Sequence, residues 1–262
     1  MDGLNGKIAL ITGAGSGIGA ATAGRLADSG VNGLILIDRD GAAVDAIAGR
    51  LEREDLRVLA RATDVADESG WLAIEDEVRD VFGRLDLTVA NAGIAHGEPL
   101  IDHGFDAWRR VIAVNLDGVF LTLRAALRLI RGGGQGGAVV VVSSASAVKA
   151  EPGIAAYGAS KAGALQLARV AAKEGAPDRI RVNAILPGGV ATPIWKATPF
   201  FQQMVVESGS EAAAFAHMAT RATPLGRFAT AEEVAGQIAF LLSDLAATIT
   251  GAALLTDGGY TL

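Results

Sequence analysis

Short runs of apolar residues alternate along the chain with longer segments in which apolar and polar residues are mixed. The runs have the length of strands, and the mixed segments have the spacing of helices with one buried face. The predicted strands cover 8–11, 34–37, 58–60, 85–90, 138–142, 180–185 and 252–255. The predicted helices cover 17–26, 42–51, 71–82, 108–129, 155–173 and 231–242, with an irregular to helical region at 190–221.

The clearest strand is 138–142, which holds five consecutive apolar residues, four of them valine. Such β-branched runs are typical of parallel strands that are buried on both faces. Regular alternation of strands and helices predicts a parallel sheet with helices on both faces, doubly wound by right-handed crossovers. Because no linker or repeat interrupts the pattern, we predict one α/β domain over 1–262, Rossmann-like and mainly seven-stranded.

Composition excludes several classes of function. The net charge of −6 is a poor match to nucleic acid, and the absence of cysteine excludes disulfides, thiolate metal sites and cysteine nucleophiles. The three histidines, His96, His103 and His217, are too scattered in sequence to suggest a zinc motif, so we expect no metal. No apolar run approaches a membrane span and no signal peptide is evident, so we expect a cytoplasmic protein without a membrane partner.

A glycine-rich turn follows the first predicted strand and opens a helix. Its sequence is Thr12-Gly13-Ala14-Gly15-Ser16-Gly17-Ile18-Gly19. Glycines let the backbone approach a pyrophosphate, and a helix N-terminus attracts its charge. Asp38 lies 19 residues beyond Gly19, at the end of the second strand, where dinucleotide-binding folds place an acid for the adenosine ribose. No Lys-Ser/Thr pair follows, which excludes a P-loop, and the glycine spacing fits both the usual fingerprint and a wider G-x-x-x-G-x-G form.

Acid–base chemistry is indicated by a tyrosine and a lysine on one helix face. Tyr157 and Lys161 are four residues apart in the predicted helix 155–173. A free phenol has a pKa of about 10, and we expect the nearby ammonium to lower it towards a useful range. Ser144 follows the buried strand directly as a hydroxyl partner, with Ser143 and Ser146 as rivals for that position.

Together these motifs resemble those of the classical short-chain dehydrogenases/reductases. The wider glycine motif reads TGAGSGIG, and further landmarks follow it in the family's order over nearly the whole chain. These landmarks are Asp64-Val65, Asn91-Ala92-Gly93, Asn115, Ser144, Tyr157-Gly158-Ala159-Ser160-Lys161, Pro187-Gly188 and Asp257-Gly258-Gly259.

The resemblance implies a role for each catalytic candidate in hydride transfer between a secondary alcohol and a nicotinamide cofactor. Ser144 would bind the substrate oxygen, and Tyr157 would be the acid/base. Lys161 would assist it and bind the nicotinamide ribose, while Asn115 would support a water-linked proton path to the lysine. The implied cofactor contacts are Gly13, Ser16, Gly17, Ile18, Gly19, Asp38, Asp64, Val65, Asn91, Ala92, Gly93, Tyr157, Lys161, Pro187, Gly188, Val190 and Thr192.

The choice between NAD and NADP depends on two neighbouring residues. Asp38 would accept hydrogen bonds from the ribose hydroxyls and repel a 2′-phosphate, which favours NAD. Arg39 follows it directly and is able to grip that phosphate instead. The expected cofactor is therefore NAD, with NADP less favoured. The resemblance also implies a homotetramer.

The substrate is expected to be an apolar secondary alcohol or ketone, cyclic or aromatic. The region 190–221 resembles the family's substrate lid and is rich in aromatic residues and methionine. The candidate substrate contacts are Ser146, Trp195, Phe200, Phe201 and Met204. The segment Lys149-Ala150-Glu151 departs from the family's usual small or apolar residues, which indicates either an effect on specificity or a solvated charge pair. Two alternatives remain: a 3-oxoacyl carrier-protein reductase, with Arg131 and Lys173 as docking residues, and a non-catalytic dinucleotide-binding regulator.

Overall fold

The computed structural model describes residues 3–262, apart from the side chains of residues 197 and 199. Met1 and Asp2, the first two residues of the predicted domain, lie outside the described residues. One sheet of seven parallel strands forms the centre of the domain, in the order β3-β2-β1-β4-β5-β6-β7. The strands are β1 Ile8–Thr12, β2 Gly33–Asp38, β3 Arg57–Ala62, β4 Leu87–Ala90, β5 Gly137–Val142, β6 Ile180–Pro187 and β7 Ala253–Thr256.

Helices cover both faces of the sheet, as the alternation of strands and helices predicted. The helices are α1 Gly17–Asp28, α2 Gly41–Leu51, α3 Glu68–Phe82, α4 Phe105–Ile112, α5 Gly118–Gly133, α6 Ala155–Gly175, α7 Pro199–Ser208, α8 Glu211–Ala222 and α9 Ala231–Leu242. Helices α3, α5 and α6 pack on one face, and α1, α2 and α9 pack on the other. Among residues 3–262, no helix combines the length and apolar character that crossing a bilayer requires.

The valine-rich strand shows why its pattern is continuous rather than alternating. In β5, Val139 and Val141 join the hydrophobic core on one face, while Val140 and Val142 join the core on the other. Successive side chains of a strand point to opposite faces, so a strand covered on both sides has no polar position. The edge strand β3 is only partly buried, and its weaker pattern led to a prediction that was three residues too short.

Two predicted boundaries are wrong. The predicted strand 85–90 begins only at Leu87; just before it, the buried carboxylate of Asp86 accepts a hydrogen bond from the Ile8 amide at 2.8 Å. The predicted helix 108–129 is two α-helices, α4 and α5, joined by a π-helical turn over Ala113–Asp117. The extra residue in this wider turn carries Asn115 into the interior, where it is fully buried.

Candidate active site

A cavity of about 790 Å³ opens at the carboxyl ends of the strands, beside the neighbouring strands β1 and β4. On one side of this pair the sheet continues with β2 and β3, and on the other side with β5, β6 and β7. Doubly wound sheets bind their ligands at this topological switch point. The cavity runs from the glycine-rich turn to α7 and α8. The predicted residues that line it are Gly13, Ser16, Gly17, Ile18, Asp38, Asp64, Val65, Asn91, Ala92, Gly93, Ser144, Ser146, Tyr157, Lys161, Pro187, Gly188, Val190, Thr192, Trp195, Phe200 and Met204.

The glycine-rich turn is held by its own close packing. Gly13 has a φ of +65°, and a Cβ there would approach the Asn91 amide nitrogen to 2.8 Å. That Nδ2 donates to the Thr12 carbonyl at 2.9 Å, so Asn91 braces the turn from the end of β4. Gly19 is buried and does not line the cavity, and a Cβ there would overlap the Gly13 carbonyl oxygen. Gly19 permits the turn by its lack of a side chain, and its contact with the cofactor stays a prediction.

The residues present fit a dinucleotide. The first turn of α1 contains no acidic residue, and Ser16 makes no side-chain capping bond with any described residue, so the helix N-terminus keeps its free N–H groups. Asp38 stands at the end of β2 with both carboxylate oxygens oriented by backbone. One accepts from the Gly15 amide at 2.9 Å and the other from the Asp40 amide at 3.0 Å. Arg39 also lines the cavity, so both residues that bear on the cofactor choice stand at this end.

Tyr157 and Lys161 lie on α6 at the base of the cavity, as the four-residue spacing predicted. The Lys161 Nζ lies 5.7 Å from the centre of the Tyr157 ring and donates to the Val142 carbonyl at 2.9 Å. Burial lowers the pKa of Lys161 to about 8. Burial also raises the pKa of Tyr157, and the Ser144 hydroxyl lowers it by less. The expected lowering of the Tyr157 pKa by the ammonium is therefore wrong for the protein without cofactor, because desolvation of the phenolate dominates.

Hydrogen bonds separate the three rival serines. The Ser143 hydroxyl donates to the Lys161 carbonyl at 2.8 Å and is thereby engaged in fixing α6 to β5. The Ser144 hydroxyl accepts from the Ser146 amide at 3.1 Å and lies beside the Tyr157 phenol. The arrangement brings Ser144, rather than Ser143, to the phenol, in line with the role that the family resemblance implied for Ser144.

Asn115 reaches the site through the backbone. Its side chain accepts from the Ile94 amide at 2.8 Å and donates to the Ile94 carbonyl at 2.9 Å. It does not line the cavity. A Cβ on Gly93 would lie 3.3 Å from the Lys161 Nζ and 3.4 Å from the Asn115 Oδ1, so the glycine allows lysine and asparagine to approach from two sides.

Aromatic residues form the outer wall of the cavity. Trp195 stacks on Phe228 with ring centres 5.9 Å apart, and its indole nitrogen donates to the Val190 carbonyl at 2.8 Å. Phe201 was expected to touch the substrate, but it is only 1% exposed and does not line the cavity. Its ring lies 4.6 Å from that of Phe215, so it supports the wall from behind.

One wall element escaped the sequence analysis. Tyr260 lines the cavity and donates from its hydroxyl to the Glu151 carboxylate at 2.7 Å. The Lys149 Nζ donates to the Tyr260 carbonyl at 2.7 Å and lies 3.5 Å from the same carboxylate. The hydrogen bond from Tyr260 lowers the pKa of Glu151. Glu151 is therefore part of the cavity wall, and Lys149 supports it through its contacts with Glu151 and Tyr260. The unusual charges at 149–151 were the signal available in the sequence.

Comparison with known proteins follows this geometry. The family model described as "Enoyl-(Acyl carrier protein) reductase" matches residues 13–261. Cis-4-hydroxycyclohexanecarboxylate dehydrogenase of Sinomonas cyclohexanicum is 43% identical over 97% of this chain and 96% of its own. Carveol dehydrogenase from Mycobacterium avium, solved in complex with NAD, superposes with a TM-score of 0.92 at 30% identity, over 100% of this chain and 99% of that one. Levodione reductase gives a TM-score of 0.87 at 33% identity, over 97% of both chains.

Proposed function

The chain belongs to the short-chain dehydrogenase/reductase family, and on this premise we propose that it is an NAD(H)-dependent oxidoreductase that interconverts a cyclic secondary alcohol and its ketone. The observation that carries the proposal is the group of Ser144, Tyr157 and Lys161, of which Ser144 and Lys161 are buried, at the base of a cavity that continues from the glycine-rich turn. A scaffold that only binds a dinucleotide would not need a phenol and an ammonium desolvated next to each other.

The chain's own residues supply proton transfer and positioning. A bound nicotinamide dinucleotide would supply the hydride acceptor or donor. In oxidation the Tyr157 phenolate takes the proton of the alcohol and becomes the phenol, and in reduction the phenol gives its proton to the carbonyl oxygen. Ser144 donates to the same oxygen and fixes its position. The Lys161 ammonium stabilises the phenolate, and its pKa of about 8 allows it to pass protons near neutral pH.

The remaining cofactor residues divide the cavity between two ends. Asp38, fixed by the Gly15 and Asp40 amides, receives the hydroxyls of the adenosine ribose. Asp64 and Val65 line the adenine end, while Asn115 keeps the Ile94 backbone in place behind the lysine. The remaining contacts at the nicotinamide end are Ala92, Gly93, Pro187, Gly188, Val190 and Thr192.

The substrate proposal rests on the outer wall. Trp195, Phe200 and Met204 present apolar surface above the catalytic group, and Ser146 adds one polar contact. We take α7 and α8, within 190–221, as a lid that excludes water when the site closes. The relative from Sinomonas cyclohexanicum is named for a ring that carries a hydroxyl and a carboxylate. Here Arg221 lines the cavity rim and forms no ion pair within the described part of the chain, so a carboxylate on the ring has a cationic partner.

A homotetramer is also proposed. Three helices near the site leave large apolar side chains exposed: Phe105 on α4, Phe120 on α5 and Val170 on α6. Burial between copies would remove this surface from water. Light scattering on the eluting protein measures the mass; a monomer at micromolar concentration would contradict this part of the proposal.

The 3-oxoacyl carrier-protein reductase remains the competing function. Of its two suggested docking residues, Arg131 already pairs with Asp178 at 2.7 Å. Initial rates separate the two functions. The alcohols are measured as substrates for oxidation and the thioester as a substrate for reduction, with the set cyclohexanol, cis-4-hydroxycyclohexanecarboxylate, 1-phenylethanol, a sugar and an acetoacetyl thioester. We expect the ring alcohols to give the highest kcat/KM, and Arg221→Ala to raise KM for the carboxylate only. Highest activity with the thioester or the sugar would overturn the substrate proposal.

The catalytic role of the phenol is tested by Tyr157→Phe. We expect a loss of at least about 10²-fold in kcat, because a positioned acid/base is worth roughly 10²–10⁴ in rate. Binding of NADH, followed by its fluorescence, should be retained because the ring still fills its place. Near-normal turnover in the folded variant would remove Tyr157 from the mechanism.

The cofactor preference is tested on Asp38 and its neighbour. We expect wild-type kcat/KM to be higher with NAD than with NADP, since the carboxylate repels a 2′-phosphate. Asp38→Asn should narrow the difference by improving the use of NADP. Arg39→Ala is the matched control, and it should weaken only the residual use of NADP. Equal or better use of NADP by the wild type would mean that Arg39 outweighs Asp38.

A further inference from the structure

Two histidines and a glutamate meet on the loop that joins β4 to α4. His96, Glu98 and His103 each offer one ligand atom, and these atoms lie within 4.8 Å of one another. The His96 Nε2 is already 3.2 Å from the Glu98 Oε2. The expectation from sequence, that the histidines are too scattered for a metal motif, is therefore not met by the fold. His217, on α8, is the histidine outside the cluster.

A second observation points to a missing ligand at this cluster. Both ring nitrogens of His103 are inaccessible to water, and neither has a hydrogen-bond partner among the described residues. Its ring meets His96 edge-on at 5.1 Å between centres and also packs edge-on against Trp108. Aromatic packing explains where the ring lies, but it leaves an imidazole with two polar atoms out of water and unsatisfied, which native structures rarely tolerate.

We propose that His96, Glu98 and His103 form a binding site for a divalent transition metal, with Zn²⁺ as the best match. Two imidazoles and one carboxylate are a ligand set that zinc accepts, with a fourth position left to water. Tetrahedral ligands at about 2.05 Å from zinc are about 3.3 Å apart, so the His96–Glu98 pair already has the required separation. Rotation of the His103 side chain supplies the remaining approach.

The surrounding backbone holds the carboxylate in place. The Gly104 amide donates to the Glu98 Oε2 at 3.3 Å, and the Glu98 amide donates to the Gly153 carbonyl at 2.8 Å. Residues 98 and 154 also form an isolated parallel bridge. The site therefore ties the loop after β4 to the segment that precedes α6, on which Tyr157 stands. A bound metal would brace the mouth of the cavity, to which His96 itself contributes.

Metal binding is measured directly on the full chain after removal of ions with a chelator. Titration with Zn²⁺ by calorimetry should give one site per chain, and Co²⁺ should give the visible absorption of a four- or five-coordinate ion. Mg²⁺ should not compete, because it prefers oxygen ligands. Glu98→Gln and His103→Gln should each weaken Zn²⁺ binding by at least about 10-fold, since the loss of even an outer-shell partner costs that much. His217→Gln is the matched control and should bind Zn²⁺ like the wild type.

A measurement on the wild type keeps the test valid if a variant fails to fold. The ring resonances of the three histidines, in histidine-labelled protein, report which side chains take the metal. Zn²⁺ should shift the signals of two histidines strongly and leave the third unchanged, and the unfolding midpoint should rise with Zn²⁺. The proposal is overturned if Zn²⁺ binds without stoichiometry, if the His217 signal moves with the others, or if the variants bind as the wild type does. The cluster would then be a hydrogen-bonded His96–Glu98 pair with a packed histidine beside it.

Discussion

The buried charge of Lys161 should make the stability of the free protein depend on pH in a defined direction. The side chain is 3% exposed, and burial lowers its pKa from 10.5 to about 8. The native state therefore releases its proton near pH 8, while the unfolded chain holds it until about 10.5. Below pH 8 both states carry the charge and the native state bears the full cost of its desolvation. As pH rises above 8 that cost is relieved, so stability rises.

The size of the effect follows from the two pKa values. Relative to a variant without the titrating group, the wild type should gain about 2 kcal/mol between pH 7 and pH 9.5, from the linkage relation for a single site. The window stops at 9.5 because burial raises the pKa of Tyr157 above its usual 10, so the phenol titrates later. Lys161→Met is the reference variant, because methionine fills a similar volume without charge.

Urea denaturation of both proteins at the two pH values, without cofactor and at equal chain concentration, gives four free energies of unfolding. The change in unfolding free energy with pH is taken for each protein, and the change for Lys161→Met is subtracted from that of the wild type to give a double difference. The contributions of the lost hydrogen bond to the Val142 carbonyl and of every other titrating group then cancel, provided that these groups behave alike in both proteins. A double difference below about 0.5 kcal/mol, within the usual error of additivity, would refute the assignment of a costly charge to Lys161. A change of opposite sign would do so as well.

Two further predictions concern the cofactor turn and the outer wall. Gly19→Ala should abolish measurable NADH binding or folding, because the added Cβ would overlap the Gly13 carbonyl oxygen. Gly24→Ala on the same helix is the control: its Cβ meets no described atom within 4 Å, and the change should stabilise the protein by about 0.5–1 kcal/mol. Equal effects of the two changes on thermal unfolding and NADH titration would refute the packing argument. Trp195→Ala should raise the KM for ring alcohols several-fold while kcat changes less, because the indole lines the cavity and packs on Phe228 but holds and moves no proton. An unchanged KM for every substrate would remove Trp195 from the substrate site.

The sheet was predictable because its pattern has a local cause. The run 138–142 is apolar at every position, since this strand is covered on both faces. The glycine-rich turn and the pair of Tyr157 and Lys161 were also predictable, because the spacing of these residues along the chain decides their geometry. The π-helical turn was not predictable, because Asn115 makes hydrogen bonds with the backbone of Ile94, and the apolar pattern of 108–129 contains no sign of this contact.

The parts of the site that sequence reasoning missed depend on contacts between distant segments or on solvation. Glu151 and Tyr260 meet across 109 residues, and only the unusual charges at 149–151 gave a sign of them. Phe201 was placed in the cavity because it is aromatic and lies in the right region, but the helix turns it inward. The pKa of Tyr157 was expected to fall from proximity to Lys161, whereas burial of both groups has the larger effect.

The hydrogen bond between Tyr260 and Glu151 has a consequence for the order in which the chain acquires its properties during synthesis. Strands β1 to β4, with the glycine-rich turn and Asp38, leave the ribosome first, and N-terminal parts generally begin to fold first. The wall segment at 149–151 comes later, and Tyr260, its partner, is translated after every other residue of the wall. The nascent chain therefore holds the glycine-rich turn and Asp38 long before Tyr260 can complete the wall. Under the proposed function, substrate selectivity would be the last property that translation completes.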